Sequence, residues 1–161
     1  MKKELSVQEA LCKAESFCSS TEHCISEVEA KLVLWGLPVE EVSQVIEKLQ
    51  EERFINEQRF ANAFVRDKYR FNQWGRIKIR QHLKLKKLSE EMIQVALDEI
   101  DESEYQELLT GQLERKSRTV KARNGYEKNG KLIRFAVGRG YEVDEVVRCL
   151  KQITDDEIDM D

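Results

Sequence analysis

The sequence has few of the residues that end regular structure. Its 161 residues include one proline, Pro38, and seven glycines. A β architecture needs a turn about every ten residues, and this supply cannot provide it. Aromatics make up only 7%, so any core must be mainly aliphatic and thin. The four cysteines, at positions 12, 18, 24 and 149, form no C-x-x-C pair. Cys12, Cys18 and Cys24 with His23 fit no metal-ligand spacing, and the expectation is reduced thiols, with Cys149 half-buried on a helix. Of the two histidines, His23 falls in a loop and His82 inside a basic segment, with no carboxylate partner expected for either. A Gly-rich phosphate loop, an H-x-x-x-H pair and a nucleophile elbow are all missing. These absences argue against an enzyme and against a bound cofactor or metal. No apolar run approaches the ~18 residues of a membrane span, and Met1–Ser6 lacks the apolar stretch of a signal peptide, so a cytoplasmic protein is expected.

Charge is abundant instead. Charged residues are 36% of the chain, with a formal net charge of −4, against a typical share of about 25%. The negative total hides a segregation. Arg66–Lys87 holds nine Lys or Arg and one acid, Asp67, and Arg115–Arg139 holds nine more and one acid, Glu127. The remaining chain carries nine basic residues and 29 acids. Solubility is served by mixed signs, so the separation points to a polyanionic partner.

A helix pattern also recurs three times. Leu37 is followed by Val42, Ile46 and Leu49; Leu88 by Ile93, Leu97 and Ile100; Tyr141 by Val146, Leu150 and Ile153. The offsets are five, nine and twelve in each copy, and the copies lie 51 and 53 residues apart. Such a period indicates an array of similar modules, an architecture suited to binding long partners. The expected fold is all-α: an elongated, curved array of three tandem three-helix repeats, at residues 1–55, 56–101 and 102–161.

Within each unit the signals read as follows. Ser6 opens the first helix, which runs to about Phe17, and a loop spans Ser19–Cys24. Ser26 to Glu29 reads as a second capping box, before a helix that buries Val28 and Leu32 and stops at Gly36. Pro38 falls in the first turn of the third helix. In the second unit Asn56 caps a helix whose apolar face is Phe60, Ala61, Phe64, Val65 and Tyr69. Asn72–Gly75 breaks it, Ile79 and Leu83 match Val28 and Leu32, and Ser89 caps the next helix. In the third unit the first helix is expected from about Glu102 to Arg123, with Tyr105, Leu109, Leu113 and Val120 inward. Gly125–Gly130 reads as a turn, Leu132 and Ala136 repeat the buried pair, and Gly140 stops the helix as Gly36 does. Lys87 must fill the same stop without glycine's freedom at positive φ. The acidic tail from Asp155 to Asp161 is expected to fray.

On the helix after Gly75, Arg76, Arg80, Lys84 and Lys87 fall within an arc of roughly 80°, and these positions are expected to be solvated. Tyr69, Phe71 and Trp74 flank the break before that helix. Tyr69 and Phe71 read as core residues, while Trp74 could be core or contact. Basic side chains interleaved with aromatics are the composition of a nucleic-acid surface. The candidate contacts are Arg66, Lys68, Arg70, Trp74, Arg76, Lys78, Arg80, Lys84 and Lys87 in the first basic run. In the second they are Arg118, Lys121, Arg123, Lys131, Arg134 and Arg139. If about five side chains met phosphates, the log–log salt slope on a single strand would be about −3.5. No base-reading set is visible, so the expected binding is sequence-independent.

The stretch from Asn56 to Arg66, with Trp74–Leu83 after it, resembles the central repeat of the RecX family. Lys131–Tyr141 resembles that family's third repeat, and the order of three three-helix units agrees over about residues 6–153. The family often carries serine where Cys24 stands and glycine where Lys87 stands. The resemblance implies a regulator that binds the RecA filament on single-stranded DNA, lies along its groove and restrains strand exchange, ATP hydrolysis and repressor autocleavage. The partners it implies are the RecA filament and single-stranded DNA; duplex DNA as a sequence-independent ligand, a monomer and no membrane association are expected alongside. Two other readings fit the residues: a stand-alone helix-turn-helix protein such as a transcription factor, and a protein scaffold whose basic runs dock an acidic partner.

Overall fold

The computed structural model of the chain describes residues 4–159, with side chains described through Thr154. Among the described residues there are nine α-helices and no strand: α1 Val7–Ser20, α2 Ile25–Leu34, α3 Val39–Glu51, α4 Glu57–Arg70, α5 Arg76–Leu85, α6 Glu90–Asp98, α7 Glu102–Thr119, α8 Gly125–Gly138 and α9 Val143–Asp159. They fall in sets of three, as the recurring pattern requires.

The repeat has a common backbone element at the end of its second helix. Leu37 N donates to Leu32 O and Gly36 N to Val33 O; Leu88 N donates to Leu83 O and Lys87 N to Lys84 O; Tyr141 N donates to Ala136 O and Gly140 N to Val137 O. This is one Schellman stop written three times, with bonds reaching five and three residues back. Its pivot is left-handed in every copy: φ is 98° at Gly36, 66° at Lys87 and 95° at Gly140. The residue after each pivot is buried and heads the apolar pattern of the third helix. Of those pattern residues, Ile153 alone is half-buried, and the rest lie in the core.

The helix starts follow local chemistry, with some corrections. Ser6 accepts from Glu9 N, Asn56 from Arg59 N and Ser89 from Met92 N, as read from the sequence. Ser26 is not the cap of α2. That place belongs to Cys24, whose backbone N–H donates to Glu27, and the Ser26 hydroxyl instead donates to Lys86 O at 2.8 Å. Helix α1 continues to Ser20, beyond Phe17, and Pro38 caps α3 from one residue outside it. Gly125–Gly130 is not a turn. Asn124 accepts from Glu127 N and starts α8 at Gly125, so α7 stops at Thr119 rather than near Arg123, with Val120 half-buried outside it. Asn124 supplies a good cap, and that local signal outweighs the two glycines. The acidic tail begins as helix, since α9 runs to Asp159; Met160, Asp161 and the side chains from Asp155 onward lie outside the described residues.

The chain divides into two compact units, Met1–Ala63 with Leu83–Gln94, and Phe64–His82 with Val95–Asp161. In the first, Ala10, Ala14, Val28, Leu32, Leu37, Val45 and Leu49 form an aliphatic core, with Phe17 and Trp35 packed on its edge. His23 stacks on Phe17 with ring centroids 3.8 Å apart. Contrary to expectation it has a carboxylate partner, Glu27 at 3.2 Å, one helical turn ahead. In the second unit Tyr105, Tyr141, Leu109, Leu113 and Ile79 are fully buried. Tyr69 is core as expected, but Phe71 is 80% exposed, because α4 ends at Arg70 and the chain turns outward there.

Candidate nucleic-acid interface

The second unit carries most of the basic candidates, and its aromatics decide which of them are available. Trp74 follows the α4 break and is half-buried. Lys68 Nζ stands 4.8 Å and Lys78 Nζ 4.5 Å from its ring centroid. The Phe64 ring meets it edge-on at 6.4 Å and the His82 ring at 4.5 Å. Two ammonium groups near one indole gain cation–π attraction, so Trp74 and its two lysines make a cationic ledge. Neither lysine has a carboxylate partner among the described residues. Trp74 therefore acts as a platform for cations and, through its open part, as a surface that a base could stack upon.

Other candidates already hold acidic partners, and Arg76 is committed to the fold. Arg76 opens α5, and its guanidinium pairs with Glu142 at 2.9 Å and with Glu102. It also lies 3.9 Å from the centroid of the Tyr105 ring. Its side chain is only 18% exposed, so the expectation that Arg76 is solvated is corrected. Burial works against its charge, and the Glu142 bond, Tyr105 and Glu102 outweigh that and push its pKa up. Beneath it Tyr105 donates to Glu142 at 2.5 Å and accepts from Arg76 N at 3.0 Å. Burial, joined by the Glu142 bond, drives the Tyr105 phenol far above its ordinary value. Arg70 makes a two-pronged bond to Glu104, at 2.7 and 3.3 Å.

The remaining candidates divide by their partners. Arg123 and Lys131 both reach Glu127, at 2.8 and 3.5 Å, and Lys131 also donates to Lys121 O. In the first unit Lys84 pairs with Glu90 at 2.6 Å, both well exposed, so that bond yields readily to another anion. Arg66, Lys87, Arg118, Lys121 and Arg134 are exposed and hold no ion pair among the described residues. Arg80 is half-buried.

A feature the sequence reading passed over lies between α7 and α8. Arg139 donates to Gln112 Oε1 at 3.0 Å and stands 4.8 Å from the Phe135 ring centroid. Lys116 stands 5.0 Å from the same ring, and Arg115 donates to Gln73 Oε1 at 3.2 Å. Gln112 is buried and fully used: its amide also donates to Tyr141 Oη at 2.7 Å and to Leu108 O. Burial raises the Tyr141 phenol to about 12, although the Gln112 bond works the other way. The signal was available, since Arg115 and Lys116 fall within the second basic run and Phe135 and Arg139 are one helical turn apart.

No group of acidic, histidine or cysteine side chains that could hold a metal occurs among the described residues, and no described helix is long and apolar enough to cross a membrane. Cys18, Cys24 and Cys149 are buried, and burial raises the pKa of each thiol, which makes all three poor nucleophiles.

Residues 56–97 match the second three-helix domain of RecX, and residues 102–150 match the third. The chain is 28% identical over 153 residues to the regulatory protein RecX of Bacillus mycoides, which covers 95% of this chain and 57% of that protein. It is 30% identical over 128 residues to that of Clostridium botulinum, covering 78% and 59%. With that of Chlorobaculum tepidum it shares 29% over 148 residues, covering 92% and 90%. It thus spans less than two thirds of the length of the first two relatives. The crystal structure of RecX from Lactobacillus salivarius has the same fold, with a TM-score of 0.84 at 19% identity over 92% of this chain and 96% of that one.

Proposed function

The chain belongs to the RecX family of regulatory proteins, and on that premise we propose that it binds the RecA filament on single-stranded DNA and restrains it without catalysing a reaction. Three units, at residues 1–55, 56–101 and 102–161, would engage the filament as a monomer in the cytoplasm. The Trp74 ledge carries most of the weight. Lys68 and Lys78 are held over one indole with no carboxylate to neutralise them, and that combination suits a sugar–phosphate backbone with an adjacent base.

Regulation in this reading is a matter of occupancy. Cations that sit on filament phosphates contribute affinity without sequence preference, and the acidic remainder of the chain can meet basic protein surface. Arg66, Lys68, Lys78, Lys87, Arg118, Lys121, Arg134 and Arg139 are the contacts we assign first. Arg70, Lys84, Arg123 and Lys131 join by exchanging the carboxylates they hold, and Arg80 joins from its half-buried position. Arg76 acts by fixing the start of α5.

Sedimentation tests the binding step. The chain should pellet with RecA assembled on single-stranded DNA, and Lys68→Glu with Lys78→Glu should leave it in the supernatant. Equal pelleting of both proteins would remove the ledge from the account.

A further inference from the structure

The cavity between α7 and α8 has the makings of a phosphate seat. Its volume is about 290 Å³, and Gln73, Gln112, Arg115, Lys116, Thr119, Phe135 and Arg139 line it. Three of the seven are cationic, and no acidic side chain lines the cavity. Arg115 and Arg139 are each held by a neutral amide oxygen, from Gln73 and Gln112, rather than by a carboxylate. Lys116 and Arg139 both rest against the Phe135 ring. None of the three cations has an ion pair among the described residues.

Converging like charges repel, and surface cations usually separate or find acids. Here the amides and the ring fix them in place, so the cost of ordering them is already met before an anion arrives. One anchor is itself strained: Gln73 holds φ at 57°, a left-handed value that non-glycine residues avoid and that gathers at functional positions. Gln73 also immediately precedes Trp74, so chain continuity sets the cavity beside the cationic ledge. An anion with several acceptor oxygens, bound by planar guanidinium forks, fits such a set.

We infer that this cavity seats a phosphate of a nucleic-acid strand, with Arg115, Lys116 and Arg139 as its ligands and Phe135 positioning two of them. The assignment rests on the reading that the chain acts on a DNA-bearing filament, and it adds to that reading a defined phosphate subsite in the second unit. A free nucleotide offers the same phosphoryl oxygens and is the other source to separate.

Fluorescence anisotropy of a labelled oligothymidylate, titrated with the full chain at low salt and with no recombinase present, provides the test. Arg115→Gln with Lys116→Gln should weaken binding roughly tenfold or more and flatten the log–log salt slope by about 1.4, for two lost contacts. Lys116→Arg should retain binding. Lys151→Gln, an exposed charge on α9 outside the cavity, should change affinity less than about twofold, and unchanged circular dichroism would show that each variant is folded. Equal affinity and slope for the double variant and the wild type would overturn the site. Loss of ATP binding in the double variant, with oligothymidylate binding intact, would assign the cavity to free nucleotide and overturn the strand assignment. Failure here leaves filament regulation standing, because that is measured with recombinase present and by a different signal.

Discussion

Gly75 and Gly140 meet backbone to backbone. Gly75 N donates to Arg139 O at 2.8 Å, and Ile77 N donates to Gly140 O at 3.0 Å. The stop of α8 thereby receives the first turn of α5. A Cβ on Gly75 would overlap the Gly140 carbonyl and the Tyr141 nitrogen, and one on Gly140 would overlap Lys78. The obstructing atoms are largely backbone and cannot rotate away. Gly75→Ala should therefore cost about 1–3 kcal/mol or more, read as a lower urea midpoint. An unchanged midpoint would mean that the two segments do not approach this closely.

Arg76 and Lys84 share a face of α5 in the sequence pattern yet should behave differently. Removing the Arg76 guanidinium leaves Glu142 and Tyr105 short of a partner in a part-buried cluster. Arg76→Gln should cost about 2–3 kcal/mol, below the value for a fully buried pair because Glu102 faces solvent. Lys84→Gln should cost no more than about 0.5 kcal/mol, its pair with Glu90 being exposed. Urea unfolding of the two single variants checks this. Charge reversal aimed at the binding surface should accordingly spare Arg76.

Lys87 occupies the left-handed pivot that Gly36 and Gly140 fill in the other two repeats. A lysine there bears a backbone cost of about 1–2 kcal/mol, and glycine would relieve it while losing part of the gain to a freer unfolded chain. Lys87→Gly should raise stability by about 0.5–1 kcal/mol. If its melting temperature falls instead, the Lys87 side chain contributes more to the fold than its exposure suggests.

Acid should weaken the first unit through Glu27. Burial would raise this carboxyl, but bonds from Lys86 at 2.9 Å, from His23 and from Cys24 N prevail and hold it below its ordinary value. A carboxyl whose folded pKa is depressed stabilises fully above its unfolded pKa, about 4.3. That contribution is lost as pH falls through the folded value. Urea midpoints should therefore drop from neutral pH to about pH 3, and Glu27→Gln should lower the neutral value and make the drop smaller.

The apolar period and the three helix stops were legible in the sequence because each rests on local chemistry. Three-residue bonds, left-handed pivots and a buried residue after each pivot are fixed within a few positions of one another. The start of α8 is less legible because Gly125 and Gly130 suggest a turn, while Asn124 is what sets the helix. Glycine permits a turn, but an Asx cap directs a helix. The cap of α2 was misplaced for a long-range reason: Ser26 is engaged by Lys86, sixty residues on, which no local pattern displays. Charge separation was visible along the chain, but the partners of each charge were not. Arg76 reads as one more cation until Glu102 and Glu142 are placed beside it. The Arg115, Lys116 and Arg139 cluster forms only when α7 and α8 pack, and the amides that hold it come from Gln73 and Gln112, residues with no charge to draw attention.

The rate of DNA-dependent ATP hydrolysis by RecA on single-stranded DNA, measured with increasing amounts of this protein at low salt, tests filament regulation most directly. Hydrolysis should slow at or below equimolar protein, and the Lys68→Glu, Lys78→Glu variant should slow it much less. A rate that stays constant across that range with the wild-type protein would contradict the account.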